Sequence, residues 1–179
     1  LNIVPLLKDQ EGRISSSRVR ELLSQSDLFK AKALLKRPYS FSGKVVKGKG
    51  IGKTIGFPTA NLEIDGRKFL PGEGVYAAWT SVVNSNNRFP SVMNLGPQPT
   101  INPLSPSAVE VHIIDNNINL YNLDLLVEPV KMIRNQIKFS NIKELSNQIS
   151  KDKELAKTIL KEINNWEMKN KQNHQDDLR

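Results

Sequence analysis

Cysteine is absent from this 179-residue chain. That excludes disulfide scaffolds, cysteine-ligated zinc and thiol nucleophiles together. Histidine is almost as scarce, with only His112 and His174, too few for a histidine-built metal centre. Aromatic residues make up 6%, which leaves little material for stacking nucleobases. No apolar run approaches the ~18 residues that a transmembrane helix needs. The opening LNIVPLL has no basic stretch, apolar core and small-residue cleavage site, so it is not a secretory leader. A chain without cysteine is compatible with a reducing compartment, and the expected one is the cytoplasm.

Positive charge is abundant. Lys and Arg number 26 against 18 Asp and Glu, giving a net charge of +8 and a pI near 9.7. Such a balance suits a polyanionic ligand, whether nucleic acid, anionic lipid or a phosphorylated small molecule. It equally suits a solvated surface, and only the placement of the charges separates the two. Hydrophobic residues at 38% and a mean hydropathy of -0.42 describe an ordinary globular domain.

Three textures follow one another along the chain. LNIVPLL lacks an initiator Met and reads as the inside of something larger. Ser15, Ser16 and Ser17 then precede Val19, Leu22, Leu23, Leu28, Ala31, Leu34 and Leu35, a capping serine before apolar residues at helical spacing. A break at Ser26-Asp27 divides this into two short helices, and Arg37-Pro38 stops the second. From Phe41 to Val130, runs rich in Val, Ile, Tyr, Phe and Thr alternate with Gly, Pro and Asn clusters, at 41-47, 74-83, 89-95, 108-115 and 121-130. This predicts an antiparallel barrel or sandwich. Within 108-114, Val109, Val111 and Ile113 fall on one face, Glu110 and His112 on the other. After Phe139, Ile142, Leu145, Ile149, Leu155, Ile159, Leu160 and Ile163 recur at helical spacing, capped by Ser140 or Asn141. From Asn164 the sequence turns charged and amide-rich, which predicts a fraying polar tail.

The segment richest in chemistry is GKGIGKTIGFPTAN, residues 48-61. Gly48, Gly50, Gly52 and Gly56 let a backbone turn sharply and offer N–H groups to an anion. Lys47, Lys49 and Lys53 interleave with them. The pattern is not a Walker loop, which ends in Gly-Lys-Ser/Thr at the start of a helix. A hairpin with solvated lysines fits the spacing as well. Pro58 then fixes the backbone, and Thr59 and Asn61 alternate to one side if the segment is extended. Their hydroxyl and amide oxygens are suitable ligands for Mg²⁺ beside phosphates, although a Thr/Asn turn satisfying its own backbone has the same composition.

GKGIGKTIGFPTAN resembles the nucleotide loop and PTAN motif of riboflavin kinases. The resemblance continues in order through Leu70-Pro71-Gly72-Glu73-Gly74-Val75-Tyr76, Asn94-Leu95-Gly96-Pro97-Gln98-Pro99-Thr100, the Glu110-Val111-His112 strand, Leu120-Tyr121-Asn122 and the helix after Phe139. It covers roughly Arg37 to Leu160. Ile14-Ser15-Ser16-Ser17-Arg18-Val19-Arg20 resembles a signature near the end of the FMN adenylyltransferase domain, which precedes the kinase in bacterial bifunctional enzymes. The earlier nucleotide-binding motifs of that domain are not in this sequence.

The resemblance implies a mainly β protein, a small Greek-key antiparallel barrel with a C-terminal helix and a short N-terminal helical segment. It implies three parts: 1-37, a helical remnant of the adenylyltransferase domain and less stable than the barrel; 38-163, the kinase; and 164-179, a polar tail. The implied activity is transfer of the ATP γ-phosphoryl group to the 5′-hydroxyl of riboflavin, giving FMN and ADP, without FAD synthesis by this chain alone. Gly48, Lys49, Gly50, Gly52, Lys53, Gly56, Pro58, Thr59 and Asn61 would hold ATP, with Thr59 and Asn61 on Mg²⁺. Glu110 would accept the hydroxyl proton. Asn94, Gly96, Pro99, Thr100 and Arg134 would line the flavin cleft, and His112 is read as structural or as a support behind the site residues. Gln98 stands where the family usually has Arg, Gln136 where it has an acidic residue, and Asn122 where it has Gly. The implied partners are riboflavin, FMN, ATP and ADP, with no nucleic acid and no membrane. Two rival readings are a basic OB-like barrel for single-stranded nucleic acid, which the aromatic-free 44-53 loop disfavours, and an inactive regulatory homologue, which the presence of Thr59, Asn61 and Glu110 disfavours.

Overall fold

The computed structural model describes residues 8–10, 12–48, 50–96 and 108–176, with the backbone alone at 51 and 169–176. A two-residue ladder of β1 (Lys8–Asp9) and β2 (Gly12–Arg13) leads into α1 (Ser16–Ser24) and α2 (Leu28–Leu35). Ser15 caps α1 by accepting from the Arg18 N–H, and Asp27 caps α2 by accepting from the Lys30 N–H. Each cap satisfies a donor that helical geometry leaves unpaired. The break falls at the expected Ser26-Asp27. Lys36, in left-handed backbone at φ 56°, ends α2 just ahead of Pro38.

The barrel follows: β3 (Phe41–Val46), one helical turn α3 (Ile51–Thr54), β4 (Ala60–Ile64), β5 (Gly74–Val82), β6 (Arg88–Gly96), β7 (Ala108–Ile113) and β8 (Asp124–Arg134). The six strands close in the order β3-β4-β7-β6-β5-β8, every pair antiparallel. Within that order β8-β5-β6-β7 is a Greek key, three consecutive strands with the fourth returning beside the first. Two boundaries differ from the expectation. Strand β4 is too short and too polar on its outer side to stand out as a run, and β8 spans 124–134 rather than 121–130. Pro129 hid the length of β8; it lies beside a register shift against β5, where a strand tolerates proline.

Alternation sorts each strand into an inner and an outer row. Phe41, Leu62, Tyr76, Met93, Val111 and Val127 are among the inner residues, all buried. Leu23, Leu28 and Ala31 of α1 and α2 belong to the same apolar core. Gly72 donates its N–H to the Leu23 carbonyl, and the Ser26 hydroxyl lies 2.7 Å from the Tyr76 hydroxyl. The helical pair is therefore built into the barrel's core, not loosely appended to it, because its apolar stripe has the barrel as its packing partner.

Helix α4 (Ile142–Asp176) lies on the outer face. Asn141 accepts from the Glu144 N–H while Glu144 accepts from Asn141 Nδ2 and the Ser140 N–H, a reciprocal cap. Ala156, Ile159 and Leu160 bury Val75, Ala77 and Val92 of β5 and β6 in a second apolar cluster. The buried stripe differs from the expected one: Ile142 and Leu155 are exposed, while Asp152 and Ala156 are buried. The helix also continues through Asp176, past the point where fraying was expected.

Candidate active site

Cross-strand register brings the chemistry together. On the outer face Asn61 of β4 is paired with Glu110 of β7, and Glu110 with Asn94 of β6. The same belt continues through Val75 of β5 to Arg134 of β8. Directly opposed residues on an antiparallel pair have Cβ atoms about 5 Å apart. Glu110 is thus flanked on both sides by an amide side chain, all three half-buried. Val109, Val111 and Ile113 face inward as expected, which turns Glu110 and His112 outward.

The loop from β3 to β4 folds against one end of this row, and its glycines serve different purposes. Gly50 and Gly56 adopt φ values of 72° and 84°, a region that favours glycine. Gly48 clears space for Asn61, since a Cβ there would collide with the Asn61 amide. A Cβ on Gly52 would strike the Phe57 carbonyl and come within 3.2 Å of Thr59 Oγ1. Phe57 donates its N–H to the Gly52 carbonyl at 2.8 Å, which closes the loop. Lys53 is exposed on α3. Lys49, Pro99 and Thr100, like Gln98, lie outside the described residues.

His112 holds the entry to β4. Its Nδ1 lies 2.8 Å from the Pro58 carbonyl, which can only accept, so Nδ1 carries the proton. The Phe57 ring meets the imidazole edge-on at 5.7 Å. A buried histidine two residues from Glu110 therefore fixes the backbone that carries Thr59 and Asn61.

The other end of the row is braced by α4. Arg134 donates through Nε and Nη2 to Asp152 at 2.8–3.1 Å and through Nη1 to the Asn135 carbonyl at 2.9 Å. Asp152 is only 3% exposed and also accepts from Gln148. A buried carboxylate needs such partners to be tolerated. Arg134 is thus committed to a brace, and its guanidinium stands 5.8 Å from the Phe139 ring centroid. Gln136, two residues on, donates to Asn94 Oδ1 and the Leu95 carbonyl. Neither Asp152 nor the Gln136–Asn94 contact was anticipated. An acidic residue on the apolar stripe of Ile149, Ala156 and Ile159 was the signal available for the first; nothing in the spacing announced the second. Asn122 has φ 66°, the left-handed backbone that its replacement of glycine required.

Thr59 and Asn61 offer neutral oxygens in a cradle that Cβ atoms on Gly52 and Gly48 would fill. That donor set fits Mg²⁺, which takes a few protein oxygens and completes its shell with water and phosphate. Among the described residues no cluster of three His, Cys, Asp or Glu side chains could hold a metal by itself. A groove of about 480 Å³ between α1, α2 and residues 67–69 contains none of the belt residues. No helix among the described residues is long and apolar enough to cross a membrane.

The family model described as "Flavokinase: Riboflavin kinase" matches residues 35–160. The bifunctional riboflavin kinase/FMN adenylyltransferase of Haemophilus influenzae is 44% identical over 147 residues, 82% of this chain and 47% of that protein. Its counterpart from Bacillus subtilis is 40% identical over 157 residues, 86% of this chain and 49% of that one. The chain thus spans about half the length of the curated relatives it matches. A solved structure described as a macrolide-efflux protein from Streptococcus pneumoniae superposes with a TM-score of 0.77 at 31% identity, covering 87% of this chain and 50% of that one. Riboflavin kinase from Trypanosoma brucei superposes with a TM-score of 0.50 at 20% identity, over 69% of this chain and 78% of its own, a likeness of fold. With its barrel, its glycine-lined loop and its Asn-Glu-Asn row, the chain belongs to the riboflavin kinase family.

Proposed function

We propose that this chain transfers the γ-phosphoryl group of ATP to the 5′-hydroxyl of riboflavin, giving FMN and ADP. The observation that carries the reading is the register that sets Glu110 between Asn61 and Asn94, next to the glycine-lined loop. Phosphoryl transfer asks a protein chiefly for positioning and charge stabilisation. The 48–56 loop with Lys53 lies against ATP, and Thr59 and Asn61 are the residues that would hold a Mg²⁺ ion through their oxygens. The ion supplies neutralisation of phosphate charge. Glu110 accepts the hydroxyl hydrogen bond, aligns the ribityl oxygen and takes its proton as the new P–O bond forms and the bond to ADP breaks. The flavin occupies the cleft between the Asn94 end of β6 and the 135–141 segment, which the Arg134–Asp152 brace supports.

Residues 1-37 are read as a helical remnant of an FMN adenylyltransferase domain, the second activity in the names of the bifunctional relatives. The compartment proposed is the cytoplasm, with no nucleic-acid or membrane partner. Incubation with riboflavin and Mg-ATP, followed by chromatography, tests the reading. FMN is expected to accumulate without FAD; no FMN would refute the kinase reading, and FAD would refute the division of labour.

A further inference from the structure

Gln136 lies on the surface two residues beyond the end of β8, yet its amide nitrogen is held by two acceptors. Nε2 donates to Asn94 Oδ1 and to the Leu95 carbonyl, each at 2.8 Å. A main-chain carbonyl only accepts, so Leu95 decides which end of the Gln136 amide is nitrogen. That decides Asn94 in turn. The atom facing Gln136 Nε2 must be oxygen, which leaves Asn94 Nδ2 on the side away from Gln136. The cross-strand neighbour of Asn94 on β7 is Glu110. Gly96 completes the arrangement: a Cβ there would lie 2.8 Å from Gln136 Nε2 and 3.3 Å from its Cδ. Glycine at 96 is the seat on which the Gln136 amide rests.

We infer that Gln136 is a positioning residue that locks Asn94 as a hydrogen-bond donor beside the Glu110 carboxylate. A donor and a carboxylate on adjacent strands select a group that accepts and donates at once. Among neutral groups a hydroxyl does both; a carbonyl satisfies only Asn94, and an ammonium only Glu110. On the riboflavin kinase reading, on which this inference rests, the group is a ribityl hydroxyl of riboflavin. It donates to Glu110, accepts from Asn94 Nδ2, and keeps a second lone pair for phosphorus. With the Asn94 amide reversed, two acceptors would face each other and the hydroxyl would lose one of its two anchors.

The test combines Gln136→Met, which keeps length without a donor, with Gly96→Ala, which displaces the far end of a flexible side chain and leaves Gln136 chemically intact. Each is expected to lower kcat/KM for riboflavin about three- to tenfold, the worth of one neutral hydrogen bond, with KM for ATP unchanged. The double variant is expected to be no worse than the more damaging single one, because both act through Asn94. Asn94→Asp, which keeps the shape and removes the donor, is expected to lose at least as much. In nitrogen-15 NMR spectra of the full chain without substrate, the Asn94 side-chain NH₂ signals are expected to move in both Gln136→Met and Gly96→Ala. Unchanged riboflavin kinetics in Gln136→Met, or unmoved Asn94 signals, would overturn the inference. A wild-type chain that makes no FMN would instead overturn the kinase reading, and the NMR signals would still decide whether the lock exists.

Discussion

Two sectors of the outer barrel surface share strand β6 and end in opposite conditions. Where Val75, Ala77 and Val92 face outward, α4 covers them with Ala156, Ile159 and Leu160. Where Asn61, Glu110 and Asn94 face outward, none of the α4 residues of that apolar cluster is among their described neighbours, and they stay half-buried beside the β3–β4 loop. Val75 and Asn94 are direct cross-strand partners, so the two sectors meet at one pair of residues. A single lattice of hydrogen bonds thus carries packing on one side and the proposed active site on the other. Side-chain polarity, not backbone geometry, draws the line between them.

That division predicts a separation of phenotypes. The largest effect belongs to the polar sector. Glu110→Gln keeps size and hydrogen bonding but removes the proposed base, and should lower kcat by about 10²–10⁴-fold with the melting temperature and KM for ATP little changed. Retention of most of the wild-type kcat would reduce Glu110 to a positioning group. Leu160→Ala is the mirror-image experiment. It empties a fully buried site under α4 and should cost about 2–5 kcal/mol in denaturant unfolding, while kcat per folded molecule stays close to normal. A kcat that collapses with the stability would show the two sectors to be coupled.

Thr59→Ala and Asn61→Ala probe the polar sector further. Each should lower turnover about tenfold at limiting Mg²⁺, the scale of one lost polar contact, and if both serve one ion, as proposed, their effects should be less than additive. Full additivity would place them on separate tasks. The smallest effect lies on the covered side. Hydrogen bonds from Lys157 and then Lys153 hold the Asp115 carboxyl below its ordinary value of 3.8, and the group is exposed. A lowered folded pKa contributes stability above that ordinary value and loses it as pH falls through the lowered one. Asp115→Asn should therefore shift thermal unfolding slightly at neutral pH and not at all in strong acid, as expected of a surface pair.

The sequence made the polar sector legible earlier than the covered one. Glu110 could be assigned to the outer face from the alternation of Val109, Val111 and Ile113, because a period of two needs no knowledge of neighbours. Ser15 and the Ser26-Asp27 break were readable because caps are local. The pairing of Asn61 and Asn94 across Glu110 was not readable, since register between strands distant in sequence is set by the closure of the barrel. The same limit applies to Leu23 and Ala31. Their apolar stripe was evident, but not that the barrel itself would be its partner. Asp152 eluded the helical pattern because a buried carboxylate is acceptable only with Arg134, eighteen residues away on another element.

The belt from Arg134 through Asn94 and Glu110 to Asn61 also has a bearing on errors of assembly. A slip of one residue in β7 would turn Glu110 inward and Val111 outward, since successive side chains point to opposite faces. Such a molecule would retain much of its strand content while losing the carboxylate from the row altogether. On the kinase reading, catalytic activity would therefore serve as a proofreading signal for strand alignment, silent rather than graded in any molecule whose barrel has closed one step out of phase.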